Sequence, residues 1–280
     1  MNIVKLDIKN ESVQKGFLNL MEAGGLSSNN LPWFKWKYID NPMFNDNYIY
    51  GAKVNGKLVG LRPFMLFNLK HETKVFNAAQ PCDTVVEPDY RGQGIFTKLT
   101  KYAINEMKKE FQLFFNFPNF NSMPGYLKMG WDKTVLIDEG FAFKNFPELV
   151  KKKSGNSFFY LGSSIYNIFM TKLDKVIREL SKDSNINIID NEERFTDEFE
   201  DLWNKNIKSR IRVYRPREYL NWRYCARPDK DYKIWTLRDG DKLKAYIITS
   251  DSDRWKVAEG QIVDFQYESL NQILILCQAI

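Results

Sequence analysis

Val85-Val86-Glu87-Pro88-Asp89-Tyr90-Arg91-Gly92-Gln93-Gly94-Ile95-Phe96 is the stretch whose reading decides the fold. An apolar run, Val75 to Val86, reads as a strand and ends in a polar turn with two glycines. Beyond it, Ile95 to about Lys109 places Ile95, Leu99, Tyr102, Ala103 and Met107 at helical spacing. A strand that passes through a glycine turn into a helix makes an anion site. The first helical amides have no acceptor within the helix, and the helix dipole favours negative charge there. Gln93, Gly94, Ile95 and Phe96 supply such donors. Gly92 and Gly94 allow close approach and conformations denied to other residues, and Arg91 adds charge.

Working outward, Glu11 to Glu22 carries Val13, Phe17, Leu18, Leu20 and Met21 in helical register. A second helix is expected over Leu31 to Ile39, with Pro32 in its first turn and Asn41-Pro42 as its stop. Tyr48 to Val54 and Lys57 to Phe67 flank Asn55-Gly56, a two-residue hairpin signal. Downstream, Phe111 to Phe117 reads as a buried strand and Ser122 to Met129 as a short helix leading to Gly130-Trp131. Val135 to Phe143 closes the module.

The segment Val86 to Ile95 closely resembles the acyl-CoA-binding motif of the GNAT N-acyltransferase superfamily, whose pattern Arg/Gln-x-x-Gly-x-Gly/Ala falls on Arg91, Gly94 and Phe96. Phe96 departs from the final small residue, so the pyrophosphate is expected to seat slightly differently. A second match lies at Asn119, Ser122, Tyr126, Gly130 and Trp131, and the two together cover about Thr84 to Trp131. The resemblance implies a mixed sheet with a splayed strand pair, the strand ending at Val86 and the one at Phe111 to Phe117, between which acyl-CoA wedges. It implies donor contacts at Val85, Val86, Arg91, Gly92, Gln93, Gly94, Ile95, Phe96, Asn119 and Ser122, with acetyl-CoA as default co-substrate and no metal. It also implies direct attack by an amine on the thioester, with Tyr126 as the acid that protonates the departing thiolate; a phenol with pKa near 10 suits a thiol leaving group. For the base, Asp83 on the strand bordering the acceptor is the candidate. Glu87 is read as ordering the turn or facing solvent, and Cys82, with no activating base beside it, as core.

The second half repeats the first. Trp36-Lys37-Tyr38-Ile39-Asp40-Asn41-Pro42 is echoed by Trp222-Arg223-Tyr224-Cys225-Ala226-Arg227-Pro228, and the turn at Asn55-Gly56 by Asp239-Gly240. The expected fold is α/β, two GNAT-like modules, each a mostly antiparallel mixed sheet flanked by helices. The expected division is 1–145 for the acyl-CoA-binding catalytic domain, 146–184 for a helical connector and 185–280 for the second module. That module shows Ile262 to Glu268 with no Arg-Gly-x-Gly after it, then a helix over Leu270 to Ile280; it is degenerate, or its sequence is cut short. Asp264, at the equivalent strand end, is a candidate for binding a cationic acceptor.

Composition narrows the chemistry. The 280 residues are 44% hydrophobic, ample for two cores. Lys and Arg exceed Asp and Glu by 41 to 35, and a charge of +6 without a dense basic stripe points away from nucleic acid. The one histidine, His71, lies in a polar turn, so a His-based relay is not expected. Cys82, Cys225 and Cys277 lack metal or disulfide spacing. The N-terminus lacks a signal-peptide pattern, which gives a cytoplasmic expectation. The most apolar stretch, Ser157 to Met170, is too short to span a bilayer. The sequence reading is therefore an N-acyltransferase, monomeric or homodimeric, acting on a small-molecule amine, with an amino sugar among the candidates. Two rivals stand: a non-catalytic acyl-CoA-binding regulatory protein, and a peptidoglycan-type aminoacyltransferase, against which the intact Arg91 turn speaks.

Overall fold

A computed structural model describes residues 1–26, 30–134, 186–189, 192–206, 210–252 and 259–279, with single positions at 168, 171, 172 and 175. Its first elements are β1 (Asn2–Lys5), α1 (Glu11–Ala23), α2 (Leu31–Tyr38), β2 (Ile49–Val54), β3 (Lys57–His71), β4 (Lys74–Pro81) and β5 (Val85–Val86). A 3-10 turn (Pro88–Tyr90), α3 (Ile95–Met107), β6 (Leu113–Phe114) and α4 (Met123–Lys128) follow. Then come β7 (Ile186–Ile189), α5 (Asp197–Lys205), β8 (Arg212–Val213), α6 (Arg217–Leu220), β9 (Lys233–Asp239), β10 (Lys242–Ser252), β11 (Glu259–Tyr267) and α7 (Leu270–Ala279). Val135 to Phe143 and, apart from the four single positions, the expected connector lie outside the described residues, as does the apolar stretch Ser157 to Met170 save Ile168. Among the described residues no helix is long and apolar enough to cross a membrane.

Local chemistry accounts for the main boundaries. The Asn10 side chain accepts from the Ser12 amide to start α1, and that of Asn30 accepts from the Trp33 amide to start α2. Asn55 and Gly56 have φ of +49° and +82°, the paired left-handed residues that a tight β2–β3 turn demands.

The chain forms two compact units, residues 1–134 with 207–229, and residues 135–206 with 230–280. In the first, β3 is the spine. Its opening half pairs antiparallel with β2 and β5, and its closing half with β4. Between the pairs Phe64↔Pro81 and Leu61↔Val85, β3 advances three residues while the opposing chain advances four. The extra residue is a bulge at Cys82–Thr84, and Asp83 within it has φ +45°. The single strand expected over Val75 to Val86 is thus two strands. β6 runs parallel to β4, pairing Ala78↔Leu113 and Ala79↔Phe114, and the Phe115 amide still donates to the Ala79 carbonyl. Past Phe115 the chain leaves the strand state; β5 pairs with β3 and β6 with β4, and no pairing joins β5 to β6 among the described residues. The expected buried strand Phe111 to Phe117 is correspondingly short, and Phe117 is 63% exposed.

α3 packs on β2 and β3 through Ile95, Leu99, Ala103 and Met107, burial worth about 1.5–3 kcal/mol for each of the larger three. Tyr102, expected on that face, is 40% exposed. Gly60 on β3 admits the helix: a Cβ there would lie 3.0 Å from Ile95 Cγ2 and 3.1 Å from Leu99 Cδ1.

The second unit is an antiparallel sheet in the order β11-β10-β9-β7. Leu237, Ala245 and Ile247 form a core with Ile273 and Leu276 of α7. Its elements run strand, helix, hairpin, strand and helix, with a left-handed Gly240 (φ +58°) in the β9–β10 turn as Gly56 is in the β2–β3 turn. Residues 207–229 depart from the division at 185 and pack with the first unit. β8 pairs with β3 (Leu69↔Val213, Lys70↔Arg212), and Trp222 stacks on Trp36.

Candidate functional site

The Glu87 amide donates to the Val59 carbonyl and extends β5 by one residue, after which Pro88 to Tyr90 turn the chain away from the sheet. Gly92 and Gly94 have φ of +78° and +74°, and a Cβ on either would meet nothing within 4 Å. Glycine is therefore required here by backbone conformation, since space is ample. The first turn of α3 closes with the Lys98 amide on the Gly94 carbonyl at 3.0 Å. The amides of Ile95, Phe96 and Thr97 precede that bond and point out of the helix end. Ile95 and Phe96 of that turn line a cavity of about 280 Å³ together with Val86, Tyr90, Arg91, Gly92 and Gly94. Six of the ten expected donor contacts thus share one cavity. Gln93 is exposed between the glycines, and Val85 is buried beside Val86. Arg91 folds back, its Nε donating to the Val86 carbonyl at 3.1 Å. Glu87 orders the turn by pairing with Lys57 at 2.5 Å.

Asn119 and Ser122 serve the next helix. The Asn119 carboxamide oxygen accepts from the Ser122 amide and hydroxyl, both at 2.9 Å, which opens α4. One turn on, Tyr126 is buried, its ring edge-on to Phe96 (centroids 5.5 Å apart) and Trp131 (4.9 Å). Its phenol oxygen accepts from Arg62 Nη1 at 2.8 Å. Burial pushes the phenol's pKa up, and Arg62 pulls against that rise. Phe96, the departure from the small-residue pattern, is accommodated by Gly125, where a Cβ would come within 3.0 Å of the Phe96 ring.

Arg62, which the sequence reading did not single out, holds the Tyr126 phenol. It is fully buried, donating to Thr100 through Nε at 2.9 Å and again through Nη2, and to Thr84 through Nη1 at 2.5 Å. Its guanidinium lies 4.5 Å from the Phe96 ring centroid. The available signal was an arginine inside the apolar run Val59 to Phe67, where a charge needs a reason.

Asp83 occupies the bulge and accepts from both Lys37 Nζ and the Tyr38 hydroxyl. Burial works against the Lys37 charge, but Cys82 and Asp83 outweigh it and raise the ammonium's pKa. Burial, reinforced by Asp83, pushes the Tyr38 phenol well up. Burial also lifts the thiol of the half-buried Cys82 to about 11 against the opposing pull of Lys37. Asp83 is not among the residues lining the cavity. An ammonium and a phenol already occupy lone pairs that a base would offer. Asp264, on β11 in the second unit, is buried and accepts from the Phe265 amide at 2.7 Å.

Residues 10–134 match the family model of the acetyltransferase (GNAT) domain. They form a GNAT domain. No curated protein matches the sequence. Among solved structures, the fold is similar to that of a probable N-acyltransferase from Enterococcus faecalis, at TM-score 0.62 and 13% identity over 99% of this chain and 61% of that one. A GCN5-related N-acetyltransferase from Anabaena variabilis gives TM-score 0.63 and 12% identity, over 99% of this chain and 61% of that one. Eis1 from Mycobacterium abscessus gives 0.55 and 13%, over 100% and 62%. The chain spans about three fifths of the length of these structures. Enzymes of the GNAT family transfer acyl groups from coenzyme A, and the GNAT domain here places its glycine turn and the N-terminus of α3 around one cavity.

Proposed function

We propose that this chain transfers an acetyl group, or another short acyl group, from acyl-CoA to a primary amine of a small molecule. One observation carries the reading: the cavity at Gly92 and Gly94 is lined by Ile95 and Phe96 of the first turn of α3, a cradle that fits a pyrophosphate. Backbone groups at Val85 and Val86 hold the thioester carbonyl, and the amine attacks it from the splay. The carbon–sulfur bond breaks and Tyr126 gives its proton to the sulfur. The nearness of Phe96, which both lines the cavity and packs on Tyr126, supports this role. Asp83 is proposed as a shaper of the bulge that reaches the acceptor side only through Lys37 and Tyr38. An amino sugar remains a candidate acceptor.

In sequence, residues 185–280 are read as a second, degenerate copy of the module, joined to the donor-binding domain (1–145) by the segment 146–184, with its stretch 207–229 lent to the first unit. The left-handed glycine in each half's hairpin turn, Gly56 and Gly240, supports this. So does the link between β11 and α7, which consists of Glu268 and Ser269 and leaves no length for a glycine turn. Monomer and homodimer both fit.

The test uses the full chain. Acetyl-CoA should raise its melting temperature, and Gly94→Glu, which puts a carboxylate and a strained side chain in the cradle, should abolish the rise. Equal protection of the variant sinks the donor site. Thiol release over a panel of small amines then separates enzyme from regulator: protection without turnover favours the non-catalytic reading.

A further inference from the structure

Arg62 presents an energetic problem. Its side chain is wholly buried, yet every hydrogen bond described for it goes to a hydroxyl: Thr84, Thr100 and Tyr126. A buried guanidinium is ordinarily matched by a carboxylate, because desolvating a lone charge costs several kcal/mol. Here burial lowers the pKa of the guanidinium, with Tyr126 the first influence that opposes the fall. A cation kept at that cost beside a phenol is matched to an anion that exists only part of the time.

We propose that Arg62 is the positioning residue for Tyr126, orienting its phenol and holding the phenolate formed when Tyr126 protonates the leaving thiolate. This rests on the reading of Tyr126 as the acid. Arg62 Nη1 donates to the phenol oxygen, so that oxygen's own proton must point elsewhere. As the carbon–sulfur bond of the tetrahedral adduct breaks, the electron pair stays on sulfur and takes the Tyr126 proton. The oxygen–hydrogen pair is left on the phenolate, facing Arg62. The proton shed by the acylated amine restores the phenol through solvent.

Three elements hold the fork. Thr84 sits at the bulge before β5, Thr100 on α3 with its hydroxyl donating to the Phe96 carbonyl at 2.7 Å, and Tyr126 on α4. Phe96 covers the guanidinium face at 4.5 Å. The titratable groups that act on Tyr126 are Arg62 from β3 and Cys82 from the bulge, and Cys82 acts in the opposite sense. Donor-site strand, helix and acid are thus fastened to one cation.

The test reads the pair without turnover. A ring-fluorinated tyrosine placed at position 126 ionises within the range where the protein stays folded, and its absorbance is titrated in the wild-type, Arg62→Met and Arg62→Lys backgrounds. The phenol should ionise about 1–3 pH units higher in Arg62→Met. It should rise by a smaller amount in Arg62→Lys, whose ammonium cannot reproduce the planar fork. Arg62→Lys keeps the test decisive where Arg62→Met fails to fold. A titration in either folded variant that coincides with the wild type overturns the proposal. Such a failure is distinct from failure of the acid role, which is read from turnover of Tyr126→Phe.

Discussion

Trp36 and Trp222 hold each other through a reciprocal pair of hydrogen bonds. Each indole Nε1 donates to the main-chain carbonyl of the other at 2.7 Å, and the rings stack with centroids 5.2 Å apart. The two positions are 186 residues apart, the offset at which the two halves of the sequence echo one another. The two tryptophans that head the echoed stretches are therefore each other's partners within the first unit.

Breaking this pair should expose its reciprocity. Trp36→Phe and Trp222→Phe each leave a buried carbonyl without its donor, at about 1–3 kcal/mol. The double variant should cost less than the two single losses together, because the contact is shared. Urea denaturation of the full chain reads all three; strict additivity means that the two indoles act independently.

Tyr126→Phe should leave the acetyl-CoA-induced rise in melting temperature intact, since the phenol does not line the cavity. It should lower kcat by about 10²–10⁴-fold with KM little changed. Unchanged kcat would reduce Tyr126 to a packed aromatic.

Phe96 and Gly125 are matched by size. Gly125→Ala gains about 1 kcal/mol of helix propensity in α4, but its Cβ meets the Phe96 ring at 3.0 Å, and overpacking costs about 1–3 kcal/mol. The substitution should destabilise the wild-type chain and stabilise a Phe96→Ala background. The change of sign, measured by denaturation midpoints, is the criterion.

Cys82 makes stability depend on alkaline pH. Its thiol is lifted from an ordinary value near 9 to about 11 by burial. Between those values the folded chain keeps a proton that the unfolded chain has lost, so stability falls as pH rises from about 9 to about 11. Lys37, whose pKa is also raised, contributes a loss in the same direction at still higher pH. Cys82→Ala should flatten the first part of the decline in a series of denaturation midpoints, and an unchanged slope refutes this account.

Much of the fold was legible because its signals are local. Helical spacing marked α1 and α3, Asn55-Gly56 marked the β2–β3 turn, and Gly92 and Gly94 marked a backbone that needs positive φ. The two short motifs, Arg91 to Phe96 and Asn119 to Trp131, carried the family resemblance for the same reason. Each feature depends on residues a few positions apart, so a single stretch of sequence contains the physics.

Tertiary structure alone decided what depends on partners distant in the chain. The bulge at Cys82–Thr84 exists because β3 sets the register on both sides of it, and Asp83 is claimed there by Lys37 and Tyr38 from α2. Residues 207–229 joined the first unit because Trp222 finds its partner 186 residues upstream. Arg62 drew no notice within an apolar strand; it is Thr84, Thr100 and Tyr126, converging on it from three other segments, that give it a place. Sequence spacing records the period of a helix or a turn; it does not record which buried charge will face which hydroxyl. That is settled only when the strands and helices pack.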